Sequence, residues 1–179
     1  MSNSIFDKGL IGHYATYWGL IYMFTLPWYA AIFISIPETF LIILIGFALF
    51  NSSINLKDSI VAAVAIGMIS LFLRIIPIYP GLKVLILILI LSVTITLFSQ
   101  IKLWYSFISV TLGAMIIGAI ENAVMPVVLM SISKNVNDLA INPWLNIGVF
   151  QPTLLLAIIL FLLIKKLNFV LYDLGTKES

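Results

Sequence analysis

The chain has 179 residues, of which 63% are hydrophobic and only 9% are charged, and it contains no cysteine. Soluble domains are about half apolar and about a quarter charged, so this much apolar surface requires lipid as its solvent. The net charge of +2 is scattered, which argues against nucleic acid as a partner. The lack of cysteine excludes disulfides, thiol catalysis and cysteine-based metal sites. We therefore expect a multi-pass protein of the cell membrane, with the lipid bilayer as its surroundings.

The first 27 residues have two interpretations. The stretch "HYATYWGLIYMFTLPW" is uncharged and rich in tyrosine and tryptophan, which favour the membrane–water interface. It forms either an interfacial helix or a sixth span that ends near Pro27. We favour the interfacial helix, because a sixth span would leave only about fifteen residues for the next helix, fewer than a bilayer needs.

Apolar runs long enough to cross a bilayer follow this segment, and in lipid such runs satisfy their backbone as helices. We predict an all-α membrane bundle over 28–167, followed by a short tail over 168–179. The five predicted spans are 28–51, 59–76, 82–100, 103–130 and 145–166. An outer loop over 131–144 precedes the last span, with Asn142 as its N-cap and Pro143 as its first helical residue.

The orientation follows from lysine and arginine in the short loops, which favour the cytoplasmic side. One side carries Lys57, Lys102, Lys165, Lys166 and Lys177. The other side carries Arg74, Lys83 and Lys134. This difference predicts a cytoplasmic C-terminus.

Polar residues inside the spans are the candidate functional residues. With this orientation, four of them come from four spans and share the outer half of the membrane: Glu38, Arg74, Glu121 and Gln151. Ionisable groups within a membrane are costly, and they usually face the bundle interior or a wet cavity. Asn122 is expected to form a hydrogen bond between helices. We therefore predict an outer polar cluster.

Two further patterns accompany this cluster. Small residues recur on one face of the second span (Ala63, Gly67, Ser70, Arg74) and of the fourth (Ala114, Gly118, Glu121, Met125), which predicts close helix packing there. Prolines within the first, fourth and fifth spans are expected to bend them, and these are Pro37, Pro126 and Pro152.

The cluster has three interpretations. It locks the bundle through charge pairing, with one glutamate protonated; it lines a ligand- or signal-sensing cavity; or it forms part of a proton path. The last is disfavoured because the inner half has no acidic residue. No catalytic set, phosphate-binding loop, dinucleotide fingerprint or metal motif is present, and the sole histidine is His13. We expect no enzyme activity, no cofactor and no metal site.

Four stretches occur in a familiar order: "SIPETFLIILIGFALF", "LRIIPIYPGLKVLILILIL", "ENAVMPVVLMSIS" and "INPWLNIGVFQPTLLLAIILFLLIKK". Over roughly residues 30 to 167 the chain resembles the N-terminal membrane sensor region of Firmicute histidine kinases of the sporulation-phosphotransferase and GHKL type. The resemblance implies five spans in a bacterial inner membrane, an internal C-terminus, and family-like roles for Glu38, Arg74, Glu121 and Pro143. The kinase domain of that family has no counterpart here.

Three functions are therefore expected as alternatives. The first is a stand-alone sensor or regulator that acts through a partner, such as a kinase or a phosphotransferase. The second is a small substrate-binding subunit of a transporter. The third is a structural subunit of a membrane complex. A homo-oligomer is compatible with each of them.

Overall fold

The computed structural model describes residues 27–52, 54–76 and 78–171. The predicted interfacial helix or sixth span, His13 and the end of the predicted tail lie outside these residues. Within them helices are the only regular secondary structure. The helices are α1 (Trp28–Leu49), α2 (Leu56–Ile75), α3 (Pro80–Ser99), α4 (Leu103–Ser131), α5 (Val136–Ile141) and α6 (Pro143–Leu167). All except α5 are long and apolar enough to cross a membrane, so the five-span all-helical bundle is confirmed.

Helix α1 lies at the centre of the bundle. It packs against α2, α4 and α6, whereas α3 packs against α2 and α4. Short connections make sequential helices antiparallel, which gives the bundle two ends. We call the end where α1, α3 and α6 finish and α2 and α4 begin the basic end, because Lys57, Lys102, Lys165 and Lys166 lie there. We call the opposite end the far end.

Two apolar cores flank α1. One lies among α1, α4 and α6, and it contains Leu41, Ile45, Ile117, Phe150 and Leu154. The other lies among α1, α2 and α3 with one residue of α4, and it contains Ile43, Phe47, Ala62, Ile66, Leu91 and Val110. Large apolar side chains elsewhere on these helices are exposed and suit contact with lipid.

The closest helix contact joins α1 and α4. A Cβ atom on Gly46 would collide with the carbonyl oxygen of Ser109, and one on Gly113 would collide with that of Ile42. Glycine at both positions therefore lets the two backbones touch, as small residues do in membrane helix pairs. These reciprocal contacts fix the register of α1 against α4.

The connection before α6 contains a helix that the sequence did not predict. Helix α5 interrupts the loop expected over 131–144, and it begins with a capping box. The Asn135 N–H donates to Asp138 Oδ2 at 2.8 Å. The predicted start of α6 is confirmed, because the Asn142 side chain accepts from the Leu145 N–H at 3.3 Å and Pro143 begins the helix.

Candidate intramembrane polar site

The α1–α4 register places the two intramembrane carboxylates near each other in height. Because Gly46 lies against Ser109 and Gly113 against Ile42, counting along the antiparallel helices puts Glu38 level with Ile117. Glu121 is four residues further along α4, about one turn or 6 Å of helix rise. Both glutamates thus lie in the far half of the α1–α4 interface.

Glu121 has an unusual environment for a carboxylate. The residue is half-buried, and its Oε1 atom is enclosed and accepts no hydrogen bond from the part of the chain that the structure describes. Buried polar atoms in native proteins are almost always paired, and an unpaired one costs about 1–3 kcal/mol. A water or a ligand that donates a hydrogen bond would satisfy this acceptor.

Glu38 is half-buried on α1, on the same helical stripe as the core residues Ile34, Leu41 and Ile45. The residue makes at least one hydrogen bond, ion pair or other electrostatic interaction. Two hydroxyl-bearing neighbours on this helix, Ser35 and Thr39, are buried as well. The far half of α1 thus turns polar side chains towards the bundle, whereas its basic half turns apolar side chains there.

Lys83 is a third charged residue at this height. Thr96 Oγ1 donates to Ser106 Oγ across α3 and α4 at 3.2 Å, and counting from that contact puts Lys83 level with Ala119, between the heights of Glu38 and Glu121. Lys83 is 8% exposed, whereas its neighbours Leu82 and Val84 are 49% and 53% exposed. Its side chain is therefore turned into the bundle. The residue makes at least one hydrogen bond, ion pair or other electrostatic interaction.

This placement of Lys83 differs from the sequence prediction, which puts the lysine in a short loop. The structure corrects it, since Lys83 lies in the first turn of α3 and is buried. A signal was available: Lys83 precedes Leu87, Leu91 and Ile95 at intervals of four, and the last two are among the most buried residues of α3. A residue on that stripe belongs to the packed face.

Arg74 is not level with this group. Gly67 packs against the Ile36 side chain, so counting along α2 and α1 puts the Arg74 backbone level with Tyr29. That is nine residues along α1 from Glu38, or about 13 Å of helix rise. The predicted packing face of α2 is nevertheless present, because Ala63 and Ser70 are buried and Gly67 touches α1.

The structure does not bring Asn122 and Gln151 into the interior. Both are exposed, and each donates to a carbonyl of its own helix: Asn122 Nδ2 to Gly118 O at 2.7 Å and Gln151 Nε2 to Ile147 O at 3.4 Å. A polar side chain that faces lipid satisfies its donors in this local way. The hydrogen bond predicted for Asn122 between helices is therefore absent from the described residues.

The packing face predicted for α4 is also shifted. No atom lies within 4 Å of the position that a Cβ atom on Gly118 would take, whereas Gly113 touches the α1 backbone. The contact stripe of α4 runs through Val110, Gly113 and Ile117, which are all buried. Glu121 continues this stripe at the next turn.

The three predicted prolines lie inside continuous helices: Pro37 in α1, Pro126 in α4 and Pro152 in α6. Each lacks the N–H that would bond the carbonyl four residues earlier. Two of those carbonyls belong to Phe33 and Asn122, which share one height in the α1–α4 register. The far half of this interface is therefore rich in hydrogen-bond acceptors.

We name Glu38, Lys83 and Glu121 the polar site. These three side chains lie at similar heights in the bundle, and the enclosed Glu121 Oε1 atom suits a ligand that offers a hydrogen-bond donor. Across the described residues no group of three or more histidine, cysteine, aspartate or glutamate side chains is arranged to hold a metal ion.

Comparisons with protein families, with characterised proteins and with solved structures find no match.

Proposed function

We propose that the protein is an integral membrane sensor or regulator that binds its signal at the polar site and acts through a partner protein. The observation that carries the proposal is the enclosed Oε1 atom of Glu121, which no described group satisfies. Proteins retain such groups at functional sites at a cost in stability. A ligand that donates a hydrogen bond to this oxygen would recover that cost.

The geometry provides a route for a response. At Gly46 and Gly113 the backbones of α1 and α4 touch, so this contact is a fixed point. In the far half the same two helices carry carboxylates and proline-freed carbonyls instead of closely packed glycines. Ligand binding there changes the spacing of α1 and α4 on one side of the fixed point, and a shift of about 1–2 Å is typical of helix-based switches.

The basic end of α1 is connected to the chain that follows α6. The Leu171 N–H donates to the Leu49 carbonyl at 2.7 Å, across the ends of the two helices. Movement of α1 therefore reaches the segment that leaves the membrane. In the proposed orientation this segment is cytoplasmic, because lysines favour that side, and it contacts the partner there.

The resemblance of the sequence to sensor regions of histidine kinases suggests a kinase or phosphotransferase as the partner. The test is gentle-detergent purification of the tagged full chain from its host, followed by mass spectrometry of the proteins that accompany it. We expect a signalling protein to co-purify. In the Glu121→Gln variant the same partner should be recovered in equal amount, with an altered phosphorylation level.

The matched control is Asn122→Leu, because Asn122 is adjacent on α4 but exposed and bonded to its own helix. This control should leave the partner's phosphorylation unchanged. If a transporter ATPase co-purified instead, the proposal would be contradicted, and the protein would be a substrate-binding subunit of a transporter. Equal phosphorylation in the wild type and Glu121→Gln would make the polar site purely structural.

A further inference from the structure

A second site lies at the basic end, remote from the polar site. A cleft of about 240 Å³ opens between the end of α1 and the end of α6. Its polar lining comprises Asn51, Ser52, Lys165 and Asn168, and its apolar lining includes Phe169 and Val170. Because α1 and α6 end here after apolar spans, the cleft lies where lipid headgroups meet water.

The backbone around the cleft is well ordered by its own hydrogen bonds. Asn51 and Asn168 have φ values of 51° and 47°, the left-handed conformation that commonly ends a helix. The Phe169 N–H donates to the Ile164 carbonyl at 3.1 Å, and the Ser52 N–H donates to that of Phe47 at 3.1 Å. These bonds satisfy the helix ends, so the cleft is a built feature of both termini.

The side-chain charge of the cleft is positive. Lys165 lies at its wall, and its Nζ atom is 5.7 Å from the centroid of the Phe161 ring. Within the described residues, Asp58 is the sole acidic side chain at the basic end, against four lysines. Lysines next to a membrane span attract anionic lipid headgroups, and basic pockets between spans on the cytoplasmic side bind them.

We propose that this cleft binds the phosphate of an anionic phospholipid headgroup. Lys165 supplies the positive charge, the Asn168 amide supplies a hydrogen-bond donor, and Phe169 and Val170 contact the start of the acyl chains. The occupant is a lipid, since the apolar wall and the interfacial depth suit a chain-bearing ligand better than a free phosphate ion. This site shares no residue with the polar site.

The test is native mass spectrometry of the purified full chain in detergent, titrated with phosphatidylglycerol. We expect a one-to-one adduct, and phosphatidylcholine should bind more weakly because it has no net charge. Lys165→Gln should weaken phosphatidylglycerol binding about five-fold, because it removes the positive charge that lines the cleft. Asn168→Gly should also weaken it, because glycine keeps the left-handed backbone but removes the amide.

The matched control is Lys166→Gln, since Lys166 adjoins Lys165 in the last turn of α6 but does not line the cleft. This variant should bind phosphatidylglycerol like the wild type. Equal weakening by both lysine substitutions, or equal binding of the two lipids, would overturn the proposal. Displacement of the lipid by an equal concentration of inorganic phosphate would assign the cleft to a soluble phosphate and overturn the lipid assignment.

Discussion

Glu121 is the residue at which stability and function are expected to conflict. Its Oε1 atom is enclosed without a hydrogen bond from the described residues, which costs free energy in the folded state. Replacement by leucine leaves the volume of the side chain roughly unchanged and removes the unpaired acceptor. We therefore predict that Glu121→Leu raises the free energy of unfolding in detergent by about 1–3 kcal/mol, while the response of the partner is lost.

The measurement is thermal or denaturant unfolding of both proteins in the same detergent. Asn122→Leu serves as the control, because it adds a leucine at an exposed position of the same helix and should change stability little. Lower stability of Glu121→Leu would contradict this account, since it would mean that the carboxylate holds the bundle together.

The sequence indicated which polar residues cost free energy inside the membrane, but it did not indicate all of the residues that lie near them. Glu38 and Glu121 were predicted from their position in apolar runs, and both lie in the α1–α4 interface. Lys83 was missed because it lies within two residues of the predicted start of its span, which made the lysine look like part of a loop. Asn122 and Gln151 face outwards, since a short polar side chain can satisfy itself on its own helix.

Among the helices, the pair α1 and α4 depends on two glycines. A side chain at Gly46 would meet backbone atoms of Ser109, and one at Gly113 would meet those of Ile42, and backbone atoms cannot move aside as a flexible side chain can. We predict that Gly46→Ala and Gly113→Ala each destabilise the bundle by about 1–3 kcal/mol, as overpacking does.

Gly118→Ala is the matched control for these variants, because it lies on the same helix as Gly113 and has open space where its Cβ atom would lie, with no atom within 4 Å. It should be neutral or slightly stabilising, since alanine favours helix more than glycine does. Melting temperatures in detergent would compare the three. If Gly118→Ala destabilised the bundle as much as Gly113→Ala, the observed register of α1 and α4 would be wrong.

The rotation of each helix was harder to predict than its existence. Small residues at four-residue spacing indicated a packing face on both α2 and α4, and the face on α2 is packed as expected. On α4 the sequence placed the face on Gly118, whereas the structure packs Gly113 against α1. The contact with Gly46 of α1, which is distant in sequence, determines this rotation.

For the whole molecule, the five-span bundle was predictable because lipid leaves an apolar chain few alternatives to helices. Aromatic residues at the far end support this picture: the rings of Tyr29 and Trp144 lie 5.5 Å apart and join the starts of α1 and α6. The short helix α5 was missed, although its capping residues Asn135 and Asp138 could have indicated it. Function was less predictable, because it depends on what the polar site binds.

The far half of the bundle is expected to change its spacing while the glycine contact between α1 and α4 stays fixed. Pulsed electron paramagnetic resonance tests this expectation directly in lipid nanodiscs. Nitroxide labels on cysteines introduced at Phe33 of α1 and Val127 of α4 would report the spacing, since these residues are 58% and 63% exposed. The protein has no native cysteine to compete for the label.

The Glu121→Gln variant offers N–H donors to the acceptor-rich interface, so we predict a shorter and narrower distance distribution than in the wild type. The shortening should be about 1–2 Å, a typical helix shift, and Asn122→Leu should match the wild type. Identical distributions in all three proteins would contradict the account, because they would show a polar site that only locks the helices in place.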